Sequence, residues 1–391
     1  MRYRKGGMPA RHKAIFAVIL ILYTAILSTI TYFILYKPSS GPSKKIVEYS
    51  TDKQGNVVKN VQEYTPIEGN YNILLLGLDK VSMSTDVVML INMNNNDNKI
   101  TVMQIPRDTY IRALDETRSV TNKMNENFVD HYNYRRSSGD DEDTAFMNAL
   151  HDVETIFEDS LCININYSAI MDLEGFRNIV DTIGGVEIDI PQDMQYKDPG
   201  QDLYIDFKAG MQTLNGEDAE KFVRFRDTYA QADLGRVNAQ KMFLVALFNK
   251  VKSSISLTNL SMLNSLADSI FSSVTTDLAV SDIVYFGRSV LSCDLEGITM
   301  LTLPGNLGGS DHYVMNRAAA NSVINQYFNT YDRDIASGAF DSKGNFNNPS
   351  ISYINEVYYS AENKLYDKNI YNGSEVDKSK IDIPLIKKKS N

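Results

Sequence analysis

Apolar positions divide the chain into an uncharged N-terminal run, a polar stretch and a long region of alternating strand and helix patterns. The uncharged run covers residues 14–36. At about 1.5 Å per residue, a helix of this length spans roughly 35 Å and crosses a bilayer. Its last residues, Tyr32-Phe33-Ile34-Leu35-Tyr36, are bulky and aromatic, which suits a membrane interface better than a signal-peptidase site. We therefore expect residues 14–36 to form a retained transmembrane signal anchor.

Basic residues flank this run on one side only. Residues 1–13 contain no acidic side chain and five basic ones, Arg2, Arg4, Lys5, Arg11 and Lys13. The positive-inside rule keeps this tail in the cytoplasm, so the rest of a single-pass chain lies outside the cell membrane. Residues 37–70 begin with Pro, Ser and Gly and continue as mixed polar sequence, which predicts an extracellular linker.

The region from Tyr71 onward has the patterns of a folded α/β domain. Short apolar or alternating runs predict strands over residues 71–78, 87–91, 100–105 and 186–191. Amphipathic spacing predicts helices over residues 150–161, 171–183 and 233–251. This alternation favours one α/β domain, residues 71–330, whose sheet is covered by helices on both sides. Residues 252–330 show mostly helical periodicity, and the polar composition of residues 331–391 predicts a largely disordered tail.

Composition and charge narrow the classes of function. The chain has 391 residues, 43% of them apolar, which is enough for a sizeable core. Its net charge is −10, and such an acidic chain is a poor match for the phosphates of nucleic acid, so we expect no nucleic-acid partner. Two cysteines cannot form a disulfide framework or a four-thiolate zinc site. We expect Cys162 and Cys293 to be buried free thiols, and a single bridge between them is the alternative.

Arginines cluster locally in this acidic chain. Arg224 and Arg226 are two residues apart, so in an extended segment their side chains point to the same side. Shortly afterwards Asp233 is the predicted N-cap of a long helix, and Arg236 and Gln240 share one face of it. Guanidinium groups near a helix N-terminus suit bidentate binding of phosphate. A solvated helix start with internal Arg–Asp pairs is the alternative.

Acidic residues stand at the ends of the predicted strands. Asp79, Asp86 and Asp108 occupy such positions, so their carboxylates could meet at one edge of the sheet. Pro106 ends the third strand and presents Arg107 and Asp108 at the same rim. Carboxylate oxygens beside a phosphate suit Mg²⁺ or Mn²⁺. Separate turn aspartates and an ordinary Arg–Asp surface pair are the alternatives.

A series of short motifs follows a fixed order along residues 70–250, and more loosely to about residue 328. The motifs are Leu74-Leu75-Leu76-Gly77-Leu78-Asp79, Ser84-Thr85-Asp86, Ile105-Pro106-Arg107-Asp108-Thr109, Lys123-Met124-Asn125, Ile183-Gly184-Gly185-Val186, Leu214-Asn215-Gly216, Val223-Arg224-Phe225-Arg226, and Asp233-Leu234-Gly235-Arg236 with Gln240. In this order they closely resemble the LytR–CpsA–Psr family, the envelope phosphotransferases of Gram-positive bacteria.

The resemblance implies a fold, a reaction and a set of site residues. The fold is an α/β/α sandwich with a central mixed sheet and an apolar pocket for a polyprenyl tail. The reaction moves a glycan-1-phosphate from a polyprenyl-pyrophosphate-linked glycan to peptidoglycan at the cytoplasmic membrane. Asp79 and Asp86 would hold Mg²⁺ (or Mn²⁺), Asp233 would orient the arginines, and Asp86 or Asp108 would be the general base. The residues expected to bind the pyrophosphate are Arg107, Arg224, Arg226, Arg236 and Gln240.

The sequence departs from the family pattern near the first aspartate. Family members usually carry one arginine soon after it and another before the Ser/Thr-Asp pair, where this chain has Lys80-Val81 and Met83. Lys80 is therefore a candidate pyrophosphate ligand. The long helix also has Ala239 before Gln240, where a second Arg-Gln pair is common. Two other functions remain open, a non-catalytic lipid-binding envelope regulator and a polyprenyl-pyrophosphate hydrolase.

Overall fold

The computed structural model describes most of the region that carries these motifs. The described residues are 35–79, 81–112, 122–190, 192–201, 203–225, 232–254, 260–293, 298–307, 312–341 and 346, with Tyr23, Thr24, Ser28, Thr31 and Tyr32 ahead of them. Much of the predicted anchor and most of the predicted tail therefore lie outside the described residues. Within the described part of the chain, no helix has both the length and the apolar character needed to cross a membrane.

The described residues form an alternating series of strands and helices. The strands are β1 (Lys44–Thr51), β2 (Val57–Tyr64), β3 (Asn70–Leu78), β4 (Thr85–Asn94), β5 (Lys99–Ile105), β6 (Tyr167–Asp172), β7 (Val186–Ile190), β8 (Met194–Asp198), β9 (Leu203–Phe207), β10 (Gly210–Leu214), β11 (Val274–Thr276), β12 (Ile298–Thr302), β13 (Gly305–Leu307) and β14 (Tyr313–Met315). The helices are α1 (Met124–Ser137), α2 (Glu142–Leu161), α3 (Leu173–Thr182), α4 (Gly216–Arg224), α5 (Ala232–Ser254), α6 (Leu260–Ser273), α7 (Val280–Ser292) and α8 (Arg317–Tyr327).

A mixed sheet of six strands, in the order β11-β6-β3-β4-β5-β12, forms the centre of the fold. Strand β3 is parallel to β6 and β5 is parallel to β12, whereas the other neighbours are antiparallel. Side chains of β3 alternate between two cores: Leu74 and Leu76 face one, and Tyr71 and Ile73 face the other. Helices α1, α2 and α8 pack into the first core and α5 and α7 into the second. The predicted α/β sandwich with a mixed sheet is therefore confirmed.

Helices α1 and α2 are joined by a buried ionic cluster. Asp152 on α2 accepts hydrogen bonds from Arg135 on α1 at 2.6 and 2.9 Å, and it lies 3.2 Å from Nδ1 of the fully buried His131. Burial raises the pKa of Asp152, but these partners outweigh it and hold the pKa at about 2. The cluster fixes the helix pair that covers the first face of the sheet.

A smaller core lies beside the sheet. It is formed by α3, α4, α5 and the strand pairs β7–β10 and β8–β9, with Val180, Val186, Ile205, Phe222 and Phe243 among its buried residues. The predicted strand at 186–191 and the long helix at 233–251 are present here. The predicted helix at 171–183 begins at Leu173 instead, because Met171 and Asp172 end strand β6.

One prediction about the less regular segments is wrong, because the predicted linker contains a folded hairpin, and the structure adds detail to two others. Within residues 37–70, β1 and β2 pair as an antiparallel hairpin that buries Ile46 and Tyr64 in the first core. In residues 252–330 the expected helical character is present as α6, α7 and α8, and the described part also contains β11 to β14, of which β12 extends the central sheet. In the predicted tail, Ile335, Phe340 and Phe346 are buried against the first core. The buried side chains of the hairpin and of Ile335, Phe340 and Phe346 meet partners that are distant in the sequence, which periodicity cannot reveal.

The two cysteines are not joined by a disulfide bridge, which agrees with the expectation of buried free thiols. Cys162 and Cys293 are both buried and both free thiols. Burial raises the pKa of the Cys162 thiol to about 11, so it stays protonated and packs as a small apolar group.

Candidate functional site

A cavity opens between the carboxyl ends of strands β3 and β6 and helices α3, α4 and α5. Leu75 and Met89 of the sheet line it on one side, and Phe176, Phe243 and Leu244 of the helices line it on the other. The cavity and its open mouth together contain about 1180 Å³ of empty space. The interior wall is therefore apolar and large enough for part of a hydrocarbon chain.

The polar residues of the lining gather where strands β3 and β6 end, and this region is called the polar end of the cavity. It consists of Asp79, Asp86, Asp172, Arg224 and Gln240. Asp79 follows β3 directly, Asp86 is the second residue of the antiparallel neighbour β4, and Asp172 is the last residue of β6. The hairpin between β3 and β4 thus places two of the predicted metal ligands, Asp79 and Asp86, on one rim.

The turn between β3 and β4 shapes the position of Asp79. Its Oδ1 accepts a hydrogen bond from the backbone N–H of Val81 at 2.9 Å, and its backbone N–H donates to the carbonyl of Ser84 at 2.8 Å. Met83 adopts a left-handed backbone with φ of 57° in this turn. Side-chain bonding of this kind is typical of aspartate in tight turns and fixes the carboxylate at the end of the strand.

An ionic chain continues from this rim along the end of β5. Arg107 donates from Nη1 to Asp86 Oδ1 at 3.0 Å, and its Nε lies 3.7 Å from Asp108 Oδ2. Asp108 Oδ1 in turn accepts from Lys123 Nζ at 3.2 Å, at the start of α1. The side chains of Asp86, Arg107 and Asp108 are 27% to 38% exposed, so the group is reachable from solvent. The structure thus brings Asp86, Arg107 and Asp108 of the predicted set together in one ionic chain.

Arg224 reaches the polar end from a helix rather than from an extended segment. It is the last residue of α4, which corrects the prediction that it lies in a strand-like stretch. Its Nη1 donates to Glu220 Oε1 at 2.7 Å, one turn earlier, and the other oxygen of Glu220 accepts from Arg177 on α3. Glu220 is only 7% exposed, so a buried carboxylate holds two guanidinium groups beside the cavity.

Gln240 connects the long helix to the central sheet. It is 6% exposed, its Oε1 accepts from the side-chain amide of Gln104 on β5, and its Nε2 donates to the carbonyl of Val223 at 3.3 Å. Gln104 lies three residues before Arg107. Helix α5 therefore packs against strand β5 near the strand end that leads to Arg107.

Several predicted site residues cannot be placed in full. Lys80 and Arg226 lie outside the described residues. Asp233 and Arg236 belong to helix α5, one and four residues after its start at Ala232, and only their backbone is described. Asp233 is therefore in the first turn of the helix rather than at its N-cap. Arg236 is one turn before Gln240 and on the same helix face.

The donor set at the polar end is compatible with Mg²⁺. Asp79 and Asp86 offer hard carboxylate oxygens on one rim, and magnesium is commonly held by one or two carboxylates together with substrate phosphates and water. Among the residues with a described placement, no three His, Cys, Asp or Glu side chains form a metal cage of their own. The two aspartates fit an ion that shares its ligands with a bound pyrophosphate.

Three residues of the site were not among the predicted set. Glu220 could have been found from its spacing of four residues before Arg224 on a helix, once the helix was recognised. Lys123 belongs to a recognised motif, but its pairing with Asp108 across fifteen residues depends on the fold. Asp172 caps α3 by accepting from the N–H of Gly175 at 2.7 Å, and it lines the cavity only because β6 lies next to β3.

Known proteins similar to this chain share one family. TagV of Bacillus subtilis (strain 168), named polyisoprenyl-teichoic acid–peptidoglycan teichoic acid transferase, is 24% identical over 296 residues, which cover 73% of this chain and 70% of TagV. TagU of Bacillus anthracis, which bears the same transferase name, is 26% identical over 324 residues, covering 81% of this chain and 97% of TagU.

The solved structures show the same fold. The crystal structure of protein gbs0355 from Streptococcus agalactiae superposes with a TM-score of 0.52 at 19% identity, covering 66% of this chain and 86% of that one. The model of the LytR_cpsA_psr family matches residues 33–329, well over half of the chain. The resemblance seen in the ordered motifs is thus confirmed, and this chain belongs to the LytR_cpsA_psr family.

Proposed function

We propose that this protein is a membrane-anchored, extracellular phosphotransferase that moves a glycopolymer-1-phosphate from a polyprenyl-pyrophosphate carrier to peptidoglycan. The observation that carries the proposal is the cavity, whose apolar interior ends in a rim of carboxylates with Arg224 and Gln240. Such a cavity suits a ligand with a long hydrocarbon part and a charged head. The names of TagV and TagU, polyisoprenyl-teichoic acid–peptidoglycan teichoic acid transferases, support the same class of donor and acceptor.

Charge neutralisation is the main task of the polar end. Phosphoryl transfer depends on positioning and on offsetting oxygen charge more than on covalent help from the protein. Arg224, held by the buried Glu220, offers a preorganised guanidinium to the pyrophosphate, and Arg107 offers a second beside Asp86. Arg226 and Arg236 are proposed as further ligands. Mg²⁺ or Mn²⁺ held by Asp79 and Asp86 would supply additional positive charge to the pyrophosphate oxygens.

A carboxylate is needed to take the proton of the attacking sugar hydroxyl. We favour Asp86 over Asp108, because Asp86 lines the cavity and Asp108 does not. The hydroxyl oxygen attacks the phosphorus attached to the glycan, and its proton passes to the carboxylate. The bridging P–O bond of the pyrophosphate breaks, and polyprenyl monophosphate leaves with the electron pair.

The membrane location follows from the sequence and remains part of the proposal. Residues 14–36 would anchor the chain, with residues 1–13 in the cytoplasm and the domain on the outer side of a Gram-positive cell membrane. This arrangement keeps the domain beside the membrane that supplies its lipid-linked donor and next to its peptidoglycan acceptor.

A transfer assay with the full chain in lipid vesicles tests the function. Vesicles carrying a labelled polyprenyl-pyrophosphate-linked glycan receive Mg²⁺ and soluble peptidoglycan fragments. We expect labelled glycan-phosphate on the peptidoglycan and one polyprenyl phosphate per transfer. Label that appears only as free sugar phosphate would indicate a hydrolase, and tight lipid binding without product would indicate a non-catalytic binder.

Two variants locate the activity in the cavity. Arg224→Ala should lower the rate by at least about a hundredfold, as removal of a preorganised charge partner commonly does, whereas Lys208→Ala, at an exposed ion pair with Asp193, should not change it. Leu244→Trp adds bulk to the apolar wall and should raise KM for a long-chain donor much more than for a short-chain donor. Unchanged rates in both Arg224→Ala and Leu244→Trp would contradict this site.

A further inference from the structure

The segment that connects the predicted anchor to the domain is tied to the domain at its first residue. This segment, Tyr36–Ser40, is called the joint. The backbone N–H of Tyr36 donates to the carbonyl of Tyr32 at 2.8 Å, and Leu35, the residue before Tyr36, is helical. The hydroxyl of the same Tyr36 donates to Asp282 Oδ1 at 2.6 Å on helix α7. Tyr36 therefore directly follows a helical residue and is itself bonded to the domain.

The Asp282 carboxylate that receives Tyr36 is itself firmly placed. Asp282 is 4% exposed, its Oδ1 also accepts from the hydroxyl of Tyr167 at 2.9 Å, and its Oδ2 accepts from the N–H of Ala279 at 2.8 Å. Burial, together with the hydrogen bond to Asp282, raises the pKa of Tyr167 well above its usual range, so this phenol remains a donor. Charge-assisted hydrogen bonds to a buried carboxylate are among the stronger ones.

The next residues of the joint are also held by the domain. The carbonyl of Pro38, a buried residue, accepts from the hydroxyl of the fully buried Tyr71 at 3.0 Å. The carbonyl of Ser40 accepts from the side-chain amide of Asn164 at 3.4 Å. Lys37 pairs with Glu68 at 3.1 Å, but both side chains are exposed and the pair adds little. Backbone groups of the joint are thus bonded to side chains that the core positions.

These contacts all lie at one end of the central sheet. Tyr71 is the second residue of strand β3 and Tyr167 is the first residue of strand β6, and the two strands are parallel. The other ends of the same strands carry Asp79 and Asp172, at the polar end of the cavity. The eight residue-to-residue steps from Tyr71 to Asp79 correspond to roughly 26 Å at about 3.3 Å per step. The joint and the polar end are therefore at opposite ends of β3.

We propose that the joint is a rigid connection that seats the amino ends of β3 and β6 against the bilayer and turns the polar end of the cavity away from it, toward the cell wall. The inference rests on the proposed anchor and deepens the proposed function, because it fixes where the two substrates meet. The pyrophosphate is held roughly 26 Å farther from the bilayer than the joint, and the peptidoglycan hydroxyl approaches from the outer side. The domain does not swing on a linker to collect its donor.

Fluorescence energy transfer to a dye on the lipid head groups measures this orientation in the full chain in vesicles. The native cysteines are 5% and 1% exposed, so a thiol-reactive donor dye attaches selectively to an introduced cysteine. Val280→Cys places the dye at the first residue of α7, beside Asp282, where the side chain is 51% exposed. Val81→Cys places it in the turn after β3, where the side chain is 95% exposed. We expect the dye at 81 to lie about 25 Å farther from the lipid dye than the dye at 280.

Two changes to the joint separate a rigid connection from a tether. Six Gly/Ser residues inserted after Lys37 should shrink the difference between the two dye positions to less than half, because the domain can then reorient. The same insertion after Gln54, in the exposed turn between β1 and β2 where Gly55 has open surroundings, should leave the difference intact. Tyr36→Phe should give an intermediate loss, and Tyr204→Phe, at an exposed ring on β9, should give none.

The outcomes distinguish this inference from the function on which it rests. Equal energy transfer from positions 81 and 280 in the parent chain would overturn it, and so would an insertion after Lys37 that keeps the full difference. The measurement needs no turnover, so an inactive protein with the expected distances supports the joint and contradicts the transferase. An active protein with equal distances supports the transferase and contradicts the joint.

Discussion

Replacing Glu220 by glutamine tests how the arginine beside the cavity is held. Glu220 is 7% exposed and accepts hydrogen bonds from Arg224 and Arg177, whose side chains are 26% and 39% exposed. Glutamine keeps the size of the side chain and one carbonyl oxygen, but it removes the charge and puts an amide donor beside two guanidinium groups. Both arginines then lose a charge-assisted bond, and one of them faces a donor instead of an acceptor.

The expected cost can be worked from these two bonds. A hydrogen bond to a charged group contributes about 1.5–3 kcal/mol and a neutral one about 0.5–1.5 kcal/mol, so each bond loses about 1 kcal/mol. Partial exposure of the arginines reduces the sum, and we expect a loss of about 1.5 kcal/mol in the free energy of unfolding. Transfer should fall about tenfold in kcat/KM, which corresponds to about 1.4 kcal/mol, because Arg224 is no longer fixed.

Glu217→Gln is the matched control on the same helix. Glu217 pairs with Lys221 at 2.7 Å, but its side chain is 71% exposed, so its removal should change stability by less than about 0.5 kcal/mol and leave transfer unchanged. Chemical denaturation and transfer assays of the full chain in detergent compare the two variants. If Glu220→Gln behaves like Glu217→Gln in both assays, the reasoning about a buried carboxylate that positions Arg224 is refuted.

Two further substitutions test the packing of the cavity and the charge state of the helix pair. A Cβ at Gly77 would lie 2.8 Å from Val87 Cβ on the neighbouring strand, so Gly77→Ala should lower the free energy of unfolding by about 1–3 kcal/mol. Gly287 has open space around it, so Gly287→Ala should not destabilise the fold. Equal melting temperatures of the two variants would contradict this. The pKa of Asp152 in the folded state is about 2, below its ordinary value of 3.8. The ionised carboxylate therefore stabilises the fold above about pH 4, and this contribution is lost as the pH falls toward 2. Asp152→Asn should therefore be less stable by about 2 kcal/mol at pH 7, with a difference that narrows below pH 4; a difference that stays constant in denaturation curves from pH 7 to pH 2 would contradict this.

The sheet and one rim of the site could be predicted because their determinants are local. The apolar runs that form β3, β4 and β5 are nearly continuous, as expected for strands buried on both faces. Once these strands pair in sequence order, the hairpin turns bring Asp79, Asp86 and Arg107 to one edge. That part of the site therefore follows from strand ends and chain order alone.

The remaining features depend on contacts between distant parts of the chain. The helix that ends at Arg224 is only nine residues long, and its role depends on Glu220, which is buried against α3. Residues after Tyr331 look polar, yet Phe340 and Phe346 fill gaps in the first core. The joint is also invisible in the sequence, because Tyr36 meets its partner Asp282 across 246 positions.

A crystal structure of the protein with a polyprenyl-pyrophosphate analogue and Mg²⁺ would show directly whether this cavity binds the lipid-linked donor. We expect the hydrocarbon between Leu75 and Phe243, with the pyrophosphate beside Arg224 and a metal ion between it and the carboxylates of Asp79 and Asp86. An analogue bound elsewhere on the domain, with this cavity closed by its own side chains, would contradict it.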